Sequence, residues 1–214
     1  MKILKIKKAL KTTIFTHEEI ANILKDEVSN VNAKISYLTK QGILIRLKKG
    51  IYTFGGLYQE SVDSIAVANR LYTPSYVSFD YALSYYGLIP ERIYEVTSAT
   101  LHAKKVFDTP MGRFSYRPVP MDVYALGVDW LYDERDGGKF IATPEKALCD
   151  KIRADRGLGR LTQEKMSDYL LYDLRIEWEL LLSLDIRLIE AIAKRYKSYN
   201  LKSLTSLLKK EKNV

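Results

Sequence analysis

The run Ile43-Leu44-Ile45-Arg46-Leu47-Lys48-Lys49-Gly50-Ile51-Tyr52-Thr53-Phe54 sets two β-rich segments either side of a Lys-Lys-Gly turn, which is the pattern of a hairpin. Just upstream, Gly42 stands where a glycine closes a helix, here one expected over about 30–40. In that helix Val31, Ile35 and Leu38 fall at i, i+4 and i+7, and Ser29 is placed to cap it. Further back, Thr16-His17-Glu18-Glu19 reads as a capping box that opens a helix over 17–24, with Ile20, Ala21 and Leu24 inward. Residues 2–10 put Ile3, Ile6 and Leu10 on one helical face and lysines on the other. Three helices and a hairpin within 55 residues follow the winged helix-turn-helix order. That order sends the third helix into the major groove and lays the wing on the backbone.

Downstream, Gly55-Gly56 opens a short linker over 55–60. A helix is expected over 61–71 (Val62, Ile65, Ala66, Ala68, Leu71), ended by Pro74. Ser75-Tyr76-Val77-Ser78 reads as an extended lead-in to a helix near 79–86, with Ala82 and Leu83 inward and Gly87 and Pro90 beyond it. Strand-like runs lie at 93–98, 104–107, 113–117 and 138–141. Thr143-Pro144-Glu145 carries a hydroxyl cap, a proline at the first helical position and an acid in the first turn, so a helix is expected to about Ala154. Past Gly157-Leu158-Gly159 the pattern is helical at roughly 162–173, 176–183, 185–197 and 200–210. The fold class is therefore α+β: an N-terminal winged helix-turn-helix domain over 1–55, then a mixed α/β domain over 61–214 with a helical C-terminal part.

The 214 residues are 47% hydrophobic, enough for a real core. Net charge is +8, and its distribution is uneven: +7 over 1–55, −5 over 56–193 and +6 over 194–214. A basic segment attracts polyanions through counterion release, whereas an acidic middle suits a basic protein partner. The tail Lys209-Lys210-Glu211-Lys212 reads as a solvated, frayed end rather than a specific contact. No apolar run nears the roughly 18 residues of a membrane span. The opening Met-Lys-Ile-Leu-Lys-Ile-Lys-Lys has no apolar core or small-residue cleavage site, so no secretory leader, no membrane and a cytoplasmic location are expected.

Several motifs occur in a recognisable series. Gly-Ile-Leu-Ile-Arg-Leu-Lys-Lys-Gly-Ile-Tyr (42–52) is followed by Tyr76-Val77-Ser78, Tyr81-Ala82-Leu83, Tyr86-Gly87-Leu88 and Val96-Thr97-Ser98. Then comes Thr143-Pro144-Glu145-Lys146-Ala147-Leu148-Cys149-Asp150-Lys151. This order resembles the AbiEi antitoxin family, the transcriptional-regulator half of AbiE-type (type IV) toxin–antitoxin pairs. The likeness covers about residues 1–155. It implies a repressor that binds inverted repeats in its own double-stranded promoter DNA. It also implies an antitoxin that counteracts a separately encoded nucleotidyltransferase toxin without a stable complex being the rule, with the second domain associated with neutralisation.

Candidate DNA-binding residues follow from the helical face left over by Val31, Ile35 and Leu38: Ser29, Asn30, Asn32, Ala33, Ser36 and Tyr37. Asparagine can pair with adenine, and Ser or Ala can meet the thymine methyl. No arginine stands on this helix, so a strong guanine code is not expected, and an ordinary solvated face is the competing reading. Arg46, Lys48 and Lys49 place three cations on the hairpin as phosphate contacts, with Lys34, Lys40, Lys5, Lys7 and Lys8 as weaker ones. The alternative function is a protein-interaction module whose winged helix binds a protein. Tyr72, Tyr76, Tyr81, Tyr85, Tyr86 and Tyr94 fit aromatic packing between subdomains, or else a partner surface. Asp129, Asp133, Glu134 and Asp136 read as an exposed acidic loop.

Enzyme chemistry finds little purchase. The lone Cys149 excludes an internal disulfide framework and a multi-cysteine zinc site, and only His17 and His102 could serve histidine-based metal chemistry. There is no P-loop, no Gly-x-Ser-x-Gly elbow and no acid followed two residues on by lysine. Glu177 and Glu179 fall two apart on an expected helix and so point to different faces. The charged cluster of 143–153 reads as helix capping and core spacing. No enzyme activity, cofactor or metal is expected.

Overall fold

In the computed structural model, which describes residues 3–10, 12–58 and 61–212, Thr16 opens the second helix through both halves of a capping box. The Glu19 amide donates to Thr16 Oγ1 at 3.2 Å, and the Thr16 amide donates to Glu19 Oε2 at 2.6 Å. The expected start of the first helix at Lys2 and positions 59 and 60 of the expected linker lie outside the described residues.

The N-terminal part runs α1 (Ile3–Ala9), β1 (Ile14–Thr16), α2 (His17–Leu24), α3 (Val31–Lys40), β2 (Leu44–Lys48) and β3 (Ile51–Phe54). The hairpin does not stand alone. β3 is the centre of a three-stranded antiparallel sheet ordered β1-β3-β2, with Phe15 opposite Tyr52 and Arg46 opposite Tyr52 on the other side. The His17 amide donates to the Gly50 carbonyl at 2.9 Å and so ties the hairpin turn to the start of α2. Gly50 takes the turn at φ +84, where a side chain would be strained. Ile6, Leu10, Phe15, Ile20, Leu24, Ile35, Leu38, Leu44, Tyr52 and Phe54 form one small buried core.

The remainder contains α4 (Ser64–Leu71), β4 (Ser75–Val77), α5 (Phe79–Tyr85), β5 (Val96–Thr100), β6 (Lys105–Thr109), β7 (Gly112–Pro118) and α6 (Met121–Tyr124). It continues with β8 (Val128–Asp133), β9 (Gly137–Ala142), α7 (Pro144–Ala154), α8 (Gln163–Asp168), one π-helical turn (Tyr169–Asp173), α9 (Trp178–Ser183), α10 (Ile186–Tyr196) and α11 (Tyr199–Lys212). Six strands make a mixed sheet in the order β6-β7-β5-β4-β9-β8. β4 pairs parallel to β9, β5 pairs parallel to β7, and the other neighbours are antiparallel. The whole is a mixed α+β fold with a helical C-terminal region. No helix among the described residues is long and apolar enough to cross a membrane.

α7 organises the larger core. Thr143 caps it, with the Lys146 amide donating to Thr143 Oγ1 at 3.3 Å, and Pro144 takes the first helical position. One turn on, Lys146 and Asp150 are fully buried as an i,i+4 ion pair at 2.9 Å. Asp150 Oδ1 also accepts from the Tyr196 hydroxyl at 2.6 Å, and Oδ2 accepts from Tyr76 at 3.0 Å and Ser78 at 2.8 Å. Lys146 donates in addition to the Val123 carbonyl at 2.9 Å. The pair thus joins β4, α6, α7 and α10. Close packing around Lys146 extends to Gly127 (φ +71), where an added Cβ would lie 3.0 Å from Lys146 Cβ.

Three sequence expectations need correction. The acidic group is not a loop: Asp129 and Asp133 lie on β8, and only Glu134 and Asp136 lie in its turn to β9. The basic tail is not frayed, since α11 extends to Lys212, whose ammonium donates to the Leu184 carbonyl at 2.9 Å, and Lys209 pairs with Glu190 at 2.8 Å. Finally, β1 and α6 appear where no element was expected.

Candidate nucleic-acid interface

α3 begins one residue later than its sequence suggests. Its cap is Asn30 rather than Ser29, and the Ala33 amide donates to Asn30 Oδ1 at 2.9 Å. Ile35 and Leu38 are buried and Val31 is half-buried, which turns the other face outward. On that face Ser29, Asn30, Asn32, Ala33, Ser36 and Lys40 are exposed, and Tyr37 is 53% exposed. Lys34 is half-buried, its ammonium 5.1 Å from the centre of the Tyr37 ring. Two of the polar groups already have partners: Asn30 serves the helix cap, and Asn32 Oδ1 lies 2.8 Å from His17 Nε2. The residues most available for base edges are therefore Ser36, Tyr37 and Ala33.

The hairpin cations divide. Arg46 and Lys49 are exposed. Lys48 is half-buried and donates to the Leu71 carbonyl, at the end of α4, at 2.6 Å. Its ammonium lies 5.8 Å from the centre of the Phe107 ring on β6, and burial holds it below the ordinary lysine range. Lys48 therefore joins the hairpin to α4, whereas no such tie holds Arg46 or Lys49 among the described residues. On α1, Lys7 and Lys8 are exposed, with the Lys7 ammonium donating to the Tyr58 carbonyl, while the Lys5 side chain lies outside what the structure describes.

Sequence reasoning missed the contacts that seat the N-terminal sheet on the rest. Ile14 and Leu47 are buried in the larger core, not the smaller one. The Thr13 hydroxyl donates to Asp136 in the β8–β9 turn. Each of these partners is distant in sequence, and one is a backbone carbonyl, so no local pattern announces them. Among the described residues no group of three or more His, Cys, Asp or Glu side chains could hold a metal ion. Cys149 is buried and its thiol is pushed up by that burial.

No family model matches the chain, and no curated protein matches it. Among solved structures, the chain is similar to the crystal structure of the RV2827C protein from Mycobacterium tuberculosis, with a TM-score of 0.48 and 14% sequence identity over 95% of this chain and 80% of that one.

Proposed function

We propose that the chain is a DNA-binding transcriptional repressor of its own promoter and the antitoxin of an AbiE-type pair, its first 55 residues acting as a winged helix-turn-helix. One observation carries this reading. The outer face of α3 stands open to solvent with Ser36 and Tyr37 at its middle and Lys40 at its end, and the β2–β3 hairpin exposes Arg46 and Lys49, all in a segment of net charge +7. A helix presented this way can enter a major groove while flanking cations meet phosphates. The acidic middle, at −5 over 56–193, would stand off the duplex. It offers a separate surface for antitoxin action, where Trp130 and Tyr132 are exposed on β8.

The test is a gel shift with DNA taken from immediately upstream of the gene. Retardation that survives excess competitor DNA supports the repressor. A second reading, a protein-binding winged helix, is favoured by one feature: α3 carries no arginine, and two of its asparagines are engaged within the protein. Absence of any sequence-preferring shift would favour that reading.

A further inference from the structure

A cavity of about 560 Å³ lies between α4, β4, α6 and the β8–β9 pair. Its size is that of a small-molecule site. Aromatic rings form much of its wall: Tyr124 meets Tyr76 edge-on with centroids 5.1 Å apart, and Phe140 lines the side formed by β9. The backbone there is fixed. Asn69 on α4 accepts from the Phe140 amide at 2.5 Å and donates to its carbonyl at 3.3 Å, so the α4 and β9 walls are clamped together.

Several polar groups in this wall lack protein partners. Among the described residues, the Arg70 guanidinium faces no carboxylate within ion-pair distance, and the Tyr124 hydroxyl makes no hydrogen bond. The buried Ser75 hydroxyl likewise has no partner. Burial raises the Tyr124 hydroxyl to about 12, which keeps it a neutral donor. Asp136 stands in the same wall with no cation in ion-pair contact among the described residues, its carboxylate accepting from Thr13. A cation and an anion, neither in an ion pair within contact distance among the described residues, thus share one partly aromatic cavity.

We propose that this cavity binds a small molecule with a flat aromatic ring, an anionic group at one end and N–H donors at the other. The ring lies against Tyr124 and Phe140, the anion meets Arg70, and the N–H groups meet Asp136. Tryptophan, through its carboxylate and indole N–H, and purine nucleoside monophosphates share this chemistry. The site also touches two polar ties between the N-terminal sheet and the rest. Asp136 holds Thr13, and Leu71, next to Arg70, holds Lys48. Occupancy therefore alters how firmly the β2–β3 hairpin is seated, whatever α3 binds.

Calorimetry on the full chain tests the site with L-tryptophan and AMP as probes, and indole and adenosine as their uncharged counterparts. One of the two probes, carboxylate-bearing tryptophan or phosphate-bearing AMP, is expected to bind with one-to-one stoichiometry. Its affinity should fall roughly tenfold in Arg70→Gln, and its uncharged counterpart should be weakened similarly. Because Arg70 is exposed and unpaired, that variant keeps the fold, which circular dichroism verifies. Tryptophan binding alone identifies an amino-acid ligand, and AMP binding alone a nucleotide. Amide exchange over residues 44–54 should change with the bound probe. No saturable heat from tryptophan or AMP at about 10 mM, or binding indifferent to Arg70→Gln, overturns the site. Unchanged exchange in 44–54 with binding intact overturns the coupling.

Discussion

The Lys48 ammonium donates to the Leu71 carbonyl at 2.6 Å, so the cation nearest the hairpin turn on β2 is held by the helix that follows rather than offered to solvent. Arg46 and Lys49, by contrast, are exposed. This separates two effects that a double Lys48/Lys49 substitution would merge. Lys49→Ala and Arg46→Ala should each weaken DNA binding alike across sequences and lower the salt slope by about one. Lys48→Ala should leave the slope near wild type and instead lower folding stability by about 1 kcal/mol, the scale of a lost hydrogen bond. Fluorescence anisotropy over a salt series and thermal melts distinguish the two. A Lys48→Ala slope as flat as that of Lys49→Ala would show that the ammonium leaves Leu71 for phosphate.

On α3 the same separation applies. Ser36 and Tyr37 are exposed with no structural partner for the Ser36 hydroxyl among the described residues, so Ser36→Ala and Tyr37→Ala should spare stability to within about 0.5 kcal/mol. If the helix reads bases, each should cost about 1–3 kcal/mol of discrimination at one operator position. Asn30→Ala removes the helix cap and should cost about 1 kcal/mol of stability. Melting curves beside binding isotherms on single-base operator variants make the comparison. Equal losses on every DNA sequence for Tyr37→Ala would rule out base reading by that residue.

The sequence made legible what local chemistry decides. Thr16-His17-Glu18-Glu19 and Thr143-Pro144-Glu145 specify helix starts within a few residues, and α2 and α7 begin where those signals put them. Elements fixed by pairing were harder to read. Ile14-Phe15-Thr16 is three residues long and becomes a strand only by pairing with Ile51–Thr53, its register partners lying 35 to 39 residues downstream. β8 was obscured by its acids, because Asp129 and Asp133 alternate with Trp130 and Tyr132 on a strand whose aromatic face is exposed. For the interface, helical periodicity located the outward face of α3. It could not show that Asn32 meets His17 or that Lys48 meets Leu71, since both depend on how separate elements pack.

Asp150 presents the sharpest stability test. Its carboxylate pairs with Lys146 and accepts from three hydroxyls, with both charged residues fully buried. Asp150→Ala leaves the Lys146 ammonium without its counter-charge and should cost about 3–5 kcal/mol. The double variant Lys146→Met/Asp150→Leu removes both charges and should recover part of that loss. Urea denaturation of the three proteins provides the comparison. A double variant no more stable than Asp150→Ala would mean that the hydroxyl network, not the isolated charge, dominates.

Alkaline pH probes the same core through its tyrosines. Burial pushes the hydroxyls of Tyr76, Tyr116, Tyr169 and Tyr196 well above the ordinary value of 10.0, and the Asp150 carboxylate adds to this at Tyr76 and Tyr196. Tyr86 and Tyr124 are raised to about 12, chiefly by burial. Each of these groups holds its proton more tightly when folded. Below the unfolded value of 10.0 both states are protonated, and the folded state bears no penalty. As pH rises past 10.0 the unfolded chain ionises first, so stability should fall steadily with pH. Phenolate absorbance should therefore rise in two stages, exposed tyrosines first and the buried set together with loss of circular dichroism. A single reversible transition near the ordinary value, with the folded signal intact, would show that these hydroxyls are not buried in the way the network of Asp150 requires.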